Sequence, residues 1–332
     1  MVVPVFLPHS GCRERCIYCH QGYITDVGSD DLRTRIDGAL RGRREACEVG
    51  LFGGNIFGIE PTDLEKLFSS FDGHRGMIQG FRISTKPVPL RDETIDILRR
   101  NGVHLIELGI PTFNDAILAG LGRAHTAQDL FSAYERLKGE GFGLALQFMV
   151  GLPGETMDDI ERTVENMVKL RPEYIRIYPL VVLRNTPLHG LYERGDFKPI
   201  SFDDALERAV AIYRGALRHG VDVVNVGLTD NEMVKDMVAA GFYHPAYGNL
   251  VQSRIFRGAL ESALSKMTVP REVTVTLHKN DIPLLVGYRR ENLKWFADRG
   301  IALRWDPSGT ERGSFQIACG TRRVKGTVIE RR

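Results

Sequence analysis

The chain has 332 residues, 43% hydrophobic and 26% charged, a composition that fits a globular protein with a substantial core and one large α/β domain, alone or with an appendage. No apolar run approaches the roughly 20 residues that span a bilayer, and the opening "MVVPVFLPHSG" lacks the basic start of a secretory signal; no membrane association and a cytoplasmic location are expected. The formal net charge of +2 conceals an asymmetry, because residues 266–332 hold 14 Lys/Arg against 7 Asp/Glu and residues 1–265 hold 30 against 35.

Taken in order, short β-rich runs alternate with longer amphipathic ones. Strands are predicted at 2–7 ("VVPVFL"), 48–53 ("EVGLFG"), 80–84 ("GFRIS"), 104–108 ("HLIEL"), 144–149 ("LALQFM") and 174–179 ("YIRIYP"). Between them, "DETIDILRRNG" and "AQDLFSAYERLKGEG" combine helical spacing, acidic starts and a terminal glycine. Strand, helix, strand repeated in this way means a parallel sheet with right-handed crossovers. The expected fold is α/β, a partial (β/α)6 TIM-like barrel over residues 1–200. A C-terminal extension follows at 201–265, with a seventh strand at 221–227 ("VDVVNVG") after the helix "DDALERAVAIYRGALRHG". In such architectures the chemistry sits at the C-terminal ends of the strands.

From 266 to 332 the pattern becomes a small basic α+β unit. "VTVTLH", "IALRW" and "SFQIAC" read as strands, and "DIPLLVG" and "ENLKWFADRG" as helices. Strand, helix, "VGYRREN" turn, helix, strand resembles a KH-like RNA-binding unit, whose G-x-x-G loop clamps nucleic-acid backbone. Here the loop is Gly287, Tyr288, Arg289 and Arg290, without the second glycine; Arg289 and Arg290 are the candidate phosphate contacts. A structural cap with a solvated basic face accounts for the same residues.

Three of the five cysteines, Cys12, Cys16 and Cys19, fall in "PHSGCRERCIYCHQ", directly after the first predicted strand. Thiols stay reduced in the cytosol, where clustered ones bind metal or do chemistry more often than they form disulfides. C-x3-C-x2-C supplies three thiolates, enough for three iron corners of a four-iron four-sulfur cluster, with the fourth iron open to another ligand. The alternative is zinc, which in structural sites takes four protein ligands; His20, adjacent to Cys19, is a poor fourth, and no second C-x2-C occurs. Cys47 and Cys319 read as small buried apolar residues.

The cysteine loop, with Tyr18 before its third cysteine, resembles that of the radical S-adenosylmethionine (SAM) superfamily. "LFGGNIFGI", "ELGIPTF", "GLGRAHT", "MVGLPGET", "IRIYPLVVLRNTPLHGLYERG" and "YHPAYGNLVQSR" extend the likeness, in order, to its Elongator-like group, which includes the radical domain of the Elongator catalytic subunit and oxygen-independent coproporphyrinogen oxidases. The resemblance implies a four-iron four-sulfur cluster on Cys12, Cys16 and Cys19. It implies S-adenosylmethionine on the open iron, and an external electron donor of flavodoxin or ferredoxin type. Carried across residue by residue, it makes Tyr18, Gly53, Gly54, Asn55, Ser84, Arg123, Gln147, Tyr178 and Leu180 cofactor-binding candidates. Pro111 stands where relatives often carry glutamine and offers no side-chain donor, which leaves Thr112 as the substitute.

His244 and Tyr247, in a Pro- and Gly-rich loop, and Arg254 on the following helix are the substrate-side candidates; a loop that merely closes the barrel is the bland alternative. Three functions remain open at this point. One is a radical enzyme that modifies RNA, with tRNA as one such substrate. Another is a radical enzyme for a small metabolite, tetrapyrrole or peptide, and the third is a non-catalytic metal- and RNA-binding protein.

Overall fold

The computed structural model describes residues 2–25, 31–43, 45–228, 232–267, 271–309, 311–320 and 322–328. Its strands in chain order are β1 (Val2–Phe6), β2 (Cys47–Phe52), β3 (Ile78–Thr85), β4 (Val103–Gly109), β5 (Gly143–Val150), β6 (Tyr174–Pro179), β7 (Val181–Leu183), β8 (Asp222–Val226), β9 (Val238–Gly241), β10 (Glu272–His278), β11 (Ala302–Gly309), β12 (Ser314–Cys319) and β13 (Arg322–Thr327).

Seven of them form one parallel sheet in the order β1-β2-β3-β4-β5-β6-β8, the curled half-barrel expected from the six strand–helix repeats and the seventh strand. The intervening helices are set by local chemistry. Helix Ala127–Gly139 starts at a capping box of Thr126 and Asp129, and helix Met157–Leu170 at one of Thr156 and Asp159. Their apolar faces pack on the sheet, and residues such as Val49, Ile83, Ile106, Leu146 and Ile177 are fully buried between helix layer and barrel interior. Cys47 is 1% exposed within this core, as its apolar surroundings suggested.

The barrel is left open between β1 and β8. Beside it, β7 and β9 pair as a two-stranded antiparallel ribbon, and helices Gln21–Thr25 and Glu232–Met237 pack together. Neither ribbon strand was anticipated, because three or four residues are too few for alternation to show.

The second sheet has the order β11-β10-β12-β13, with β10 and β11 parallel and β12 antiparallel to β10 and β13. Helices Ile282–Val286 and Glu291–Ala297 connect β10 to β11. β11 runs four residues past Trp305 despite Pro307, which an edge strand tolerates because its N–H side need not pair. β13, "RRVKGT", was missed because an edge strand carries charge where an inner strand would carry apolar residues.

Helix Tyr247–Leu264 belongs to both cores: Leu250, Val251 and Ile255 face the barrel, whereas Phe256, Leu260 and Leu264 lie under the second sheet, against which Cys319 is half-buried. Asn292, fully buried, fixes this joint by donating to Ser253 Oγ (2.9 Å) and to the carbonyls of Ser253 (3.2 Å) and Leu284 (2.9 Å). Among the described residues no helix is long and apolar enough to cross a membrane.

Candidate active site at the C-terminal ends of the barrel strands

The cysteine loop leaves β1 and is stitched to its neighbours through backbone. Leu7 N–H donates to Phe52 O (2.7 Å), His9 N–H to Gly53 O (2.9 Å), Asn55 N–H to Ser10 O (2.7 Å) and Ile17 N–H to Leu121 O (3.1 Å). Such close strand-end contact needs small residues. A Cβ on Gly54 would lie 2.7 Å from Ser10 O and 2.9 Å from Leu7 O, so this glycine makes room for the loop's own backbone. Gly53, at φ +88°, lines the cavity itself.

Cys12, Cys16 and Cys19 are free thiols that line one cavity of about 340 Å³ at the strand ends. Burial raises the Cys12 thiol, against the pull of Lys86 and Arg123, and pushes Cys19 up to about 11, with Cys16 adding to both. The upward shifts at Cys12 and Cys19 mean that burial favours the thiol at these two positions when no metal is beside them. Cationic iron would favour the thiolate instead. Among the described residues no three His, Cys, Asp or Glu side chains group so as to hold a single metal ion. A cluster instead takes one thiolate at each of three irons, and the donor set, soft and three-fold beside an open cavity, fits it.

The same cavity is lined by Tyr18, Gly53, Gly54, Ser84, Arg123, Gln147 and Tyr178, so seven of the cofactor candidates converge with the cysteines. Arg123 is held by donation to Gly109 O (3.0 Å) and Tyr18 Oη (3.2 Å). Three candidates do not line it. Asn55 Oδ1 accepts from Thr85 Oγ1 (2.8 Å) and Lys86 N (3.1 Å) and ties the end of β2 to that of β3. Thr112, 1% exposed, accepts from Asn114 N–H (3.2 Å), and Leu180 is buried core between the lining residues Pro179 and Val181.

The substrate-side candidates also lie off the cavity lining. Tyr247 is 1% exposed and donates to Ala205 O (3.1 Å), and Arg254 pairs with Glu207 and with Asp203 (3.1 Å). Both brace helix Tyr247–Leu264 against helix Phe202–Arg218, which corrects the substrate-side expectation for these two residues in favour of the structural alternative. His244 is half-buried, and its ring meets Tyr288 edge-on at 4.8 Å. Arg289 and Arg290 are exposed on that same turn, both left-handed at φ 47° and 64°; Arg290 thus adopts, where a G-x-x-G loop has its second glycine, a conformation glycine favours.

Among the lining residues that the sequence did not single out are His9, Gln21, Lys86, Glu107 and Arg176. Glu107 on β4 and Arg176 on β6 meet across β5, where Ala145 lies opposite Glu107 and Gln147 opposite Arg176, with Arg176 Nε 2.6 Å from Glu107 Oε2. Burial raises the Glu107 carboxyl, opposed by Arg176. The signal was available, since each is a charged residue within an apolar strand, "HLIEL" and "YIRIYP".

A half-barrel with three cysteines on the loop after its first strand, opening into a cavity at the strand ends, defines an iron–sulfur enzyme of the partial-barrel class. The match to known families is consistent with this: residues 6–167 match the Radical SAM superfamily and residues 172–257 the Radical_SAM C-terminal domain. The chain belongs to the radical SAM superfamily and is an enzyme with a four-iron four-sulfur cluster and S-adenosylmethionine as cofactors. It is 26% identical over 196 residues to the heme chaperone HemW of Bacillus subtilis, covering 55% of this chain and 52% of that protein. It is 26% identical over 153 residues to the tRNA uridine(34) acetyltransferase of Methanocaldococcus jannaschii, covering 45% and 28%. The chain therefore spans about half the length, or less, of these curated relatives. The solved structure of archaeal Elp3 from Methanocaldococcus infernus shares the fold, with TM-score 0.62 and 18% identity over 95% of this chain and 72% of that one.

Proposed function

We propose that this enzyme directs its radical chemistry at RNA, with tRNA the first substrate to test. When bound, the cluster and S-adenosylmethionine supply a 5′-deoxyadenosyl radical after one-electron reduction by an external donor, for which a flavodoxin or ferredoxin is the expected type. The chain's part is to bind and shield. Cys12, Cys16 and Cys19 would hold the cluster. Tyr18, Gly53, Gly54, Ser84, Gln147 and Tyr178 would enclose the cofactor, and Arg123, with its planar fork, suits a carboxylate.

The observation that carries the RNA reading is the contact of His244 with Tyr288, which joins the loop after β9 to the exposed Arg289–Arg290 turn as one surface. Two adjacent guanidinium groups beside an exposed aromatic ring match phosphate contact plus base stacking. The relatives named as tRNA uridine(34) acetyltransferases point the same way. A second reading, chemistry on a small molecule with the C-terminal unit as a cap, is favoured by the relatives named heme chaperones.

The experiment is binding of unmodified tRNA by the anaerobically reconstituted enzyme across a salt series. RNA recognition predicts binding that weakens steeply with salt. Arg289→Glu with Arg290→Glu should weaken it at least about tenfold and flatten the salt slope by about two phosphate contacts. Absence of tRNA binding at low salt would end the RNA reading and leave the small-molecule one.

A further inference from the structure

Gln21, the second residue after Cys19, does two things at once. Its side-chain Nε2–H donates to Cys19 Sγ at 3.4 Å, and its backbone N–H donates to His9 Nε2 at 3.0 Å. His9 in turn is tied at three points, its N–H to Gly53 O (2.9 Å), its carbonyl to Cys12 N–H (2.9 Å) and its ring to Gln21. It makes these contacts in the left-handed region, at φ 57°, which costs an L-residue on the order of a kcal/mol and persists only where the surroundings enforce it. Room for the amide comes from the opposite wall. A Cβ on Gly53 would lie 3.2 Å from Gln21 Oε1, so the absence of one leaves space for the carboxamide between β2 and the cysteine loop.

We propose that Gln21 is an N–H···S donor to the Cys19 ligand that raises the reduction potential of the cluster, and that His9 is the positioning residue that aims it. Each electron added to an iron–sulfur cluster increases negative charge on the cysteine sulfurs, so a fixed donor to one of them stabilises the reduced form more than the oxidised one. The electron acceptor is the cluster, and the reductant is the external donor, or dithionite in the assay. Neither residue needs to touch substrate, and the inference holds whether that substrate is RNA or a small molecule.

The test is an EPR-monitored redox titration of the reconstituted enzyme, with iron and sulfide content measured on every sample. Gln21→Leu removes the donor and should lower the midpoint so that, at a fixed potential, the ratio of reduced to oxidised cluster falls about tenfold, or about 59 mV for one electron. Gln21→Glu, without a donor and with added negative charge, should lower it further. His9→Asn, which tolerates the left-handed backbone and keeps an acceptor, should stay near wild type, whereas His9→Leu should fall toward Gln21→Leu. Should a variant fail to load iron, pulsed EPR of the wild-type reduced cluster with glutamine amide ¹⁵N labelling decides. A resolved ¹⁵N coupling that persists in equally labelled Gln147→Leu, which removes the other glutamine lining the cavity, supports the bond. Unchanged midpoints in both Gln21 variants, or no ¹⁵N coupling in the wild type, overturn the proposal.

Discussion

Glu155, in the turn between β5 and helix Met157–Leu170, makes a sharp prediction about stability against pH. It is 6% exposed; its Oε2 accepts from Gly151 N–H at 2.7 Å and lies 3.6 Å from Arg208 Nε. Burial outweighs both contacts and lifts the carboxyl from 4.5 to about 7. The folded chain therefore holds a proton there between pH 4.5 and 7 that the unfolded chain has released. Stability from this group is complete below pH 4.5 and is lost as pH rises through 7. At about 1.4 kcal/mol per pKa unit, the loss is about 3 kcal/mol. Glu155→Gln keeps an acceptor for Gly151 N–H but does not titrate. Urea unfolding of wild type and variant from pH 4 to 8 should thus give a stability difference that shifts by about 3 kcal/mol in favour of the variant as pH rises. Parallel pH profiles would refute the argument, showing that Glu155 is ionised in the folded chain throughout.

Three further substitutions test the architecture. Glu107→Ala leaves Arg176, whose side chain is 23% exposed, without its counter-ion and should cost about 2–3 kcal/mol in urea unfolding, while adding Arg176→Leu should recover part of the loss. Gly54→Val places carbon within 3 Å of two backbone carbonyls of the cysteine loop, so iron bound per chain after reconstitution should fall by more than half while far-UV circular dichroism stays unchanged. Asn292→Leu removes the amide that donates to Ser253 Oγ and to the carbonyls of Ser253 and Leu284 at the joint between the two cores and should lower stability by about 2 kcal/mol, read from the same unfolding curves.

The half-barrel was legible because its strands are separated by capped amphipathic helices, and two periodicities alternate for over 200 residues. The cysteine loop was legible because three thiols at one spacing have few other uses. What escaped were features defined by partners distant in sequence. Glu107 and Arg176 are 69 positions apart and meet only because β4 and β6 flank β5; His9 and Gln21 bracket the cysteine loop through a backbone bend that no residue type announces. Tyr247 and Arg254 misled for the opposite reason. Polar residues in a loop and on the next helix look like a site, yet their partners, Ala205, Asp203 and Glu207, come from one neighbouring helix and tie them to it.

The central claim is that the three cysteines and the cavity beside them form a site for radical initiation. Its most direct test is anaerobic incubation of the reconstituted enzyme with S-adenosylmethionine and dithionite, with 5′-deoxyadenosine and methionine measured by mass spectrometry. The account predicts both products from wild type and neither from Cys12→Ala, Cys16→Ala or Cys19→Ala. A fully iron-loaded wild type that binds S-adenosylmethionine but releases no 5′-deoxyadenosine would contradict it.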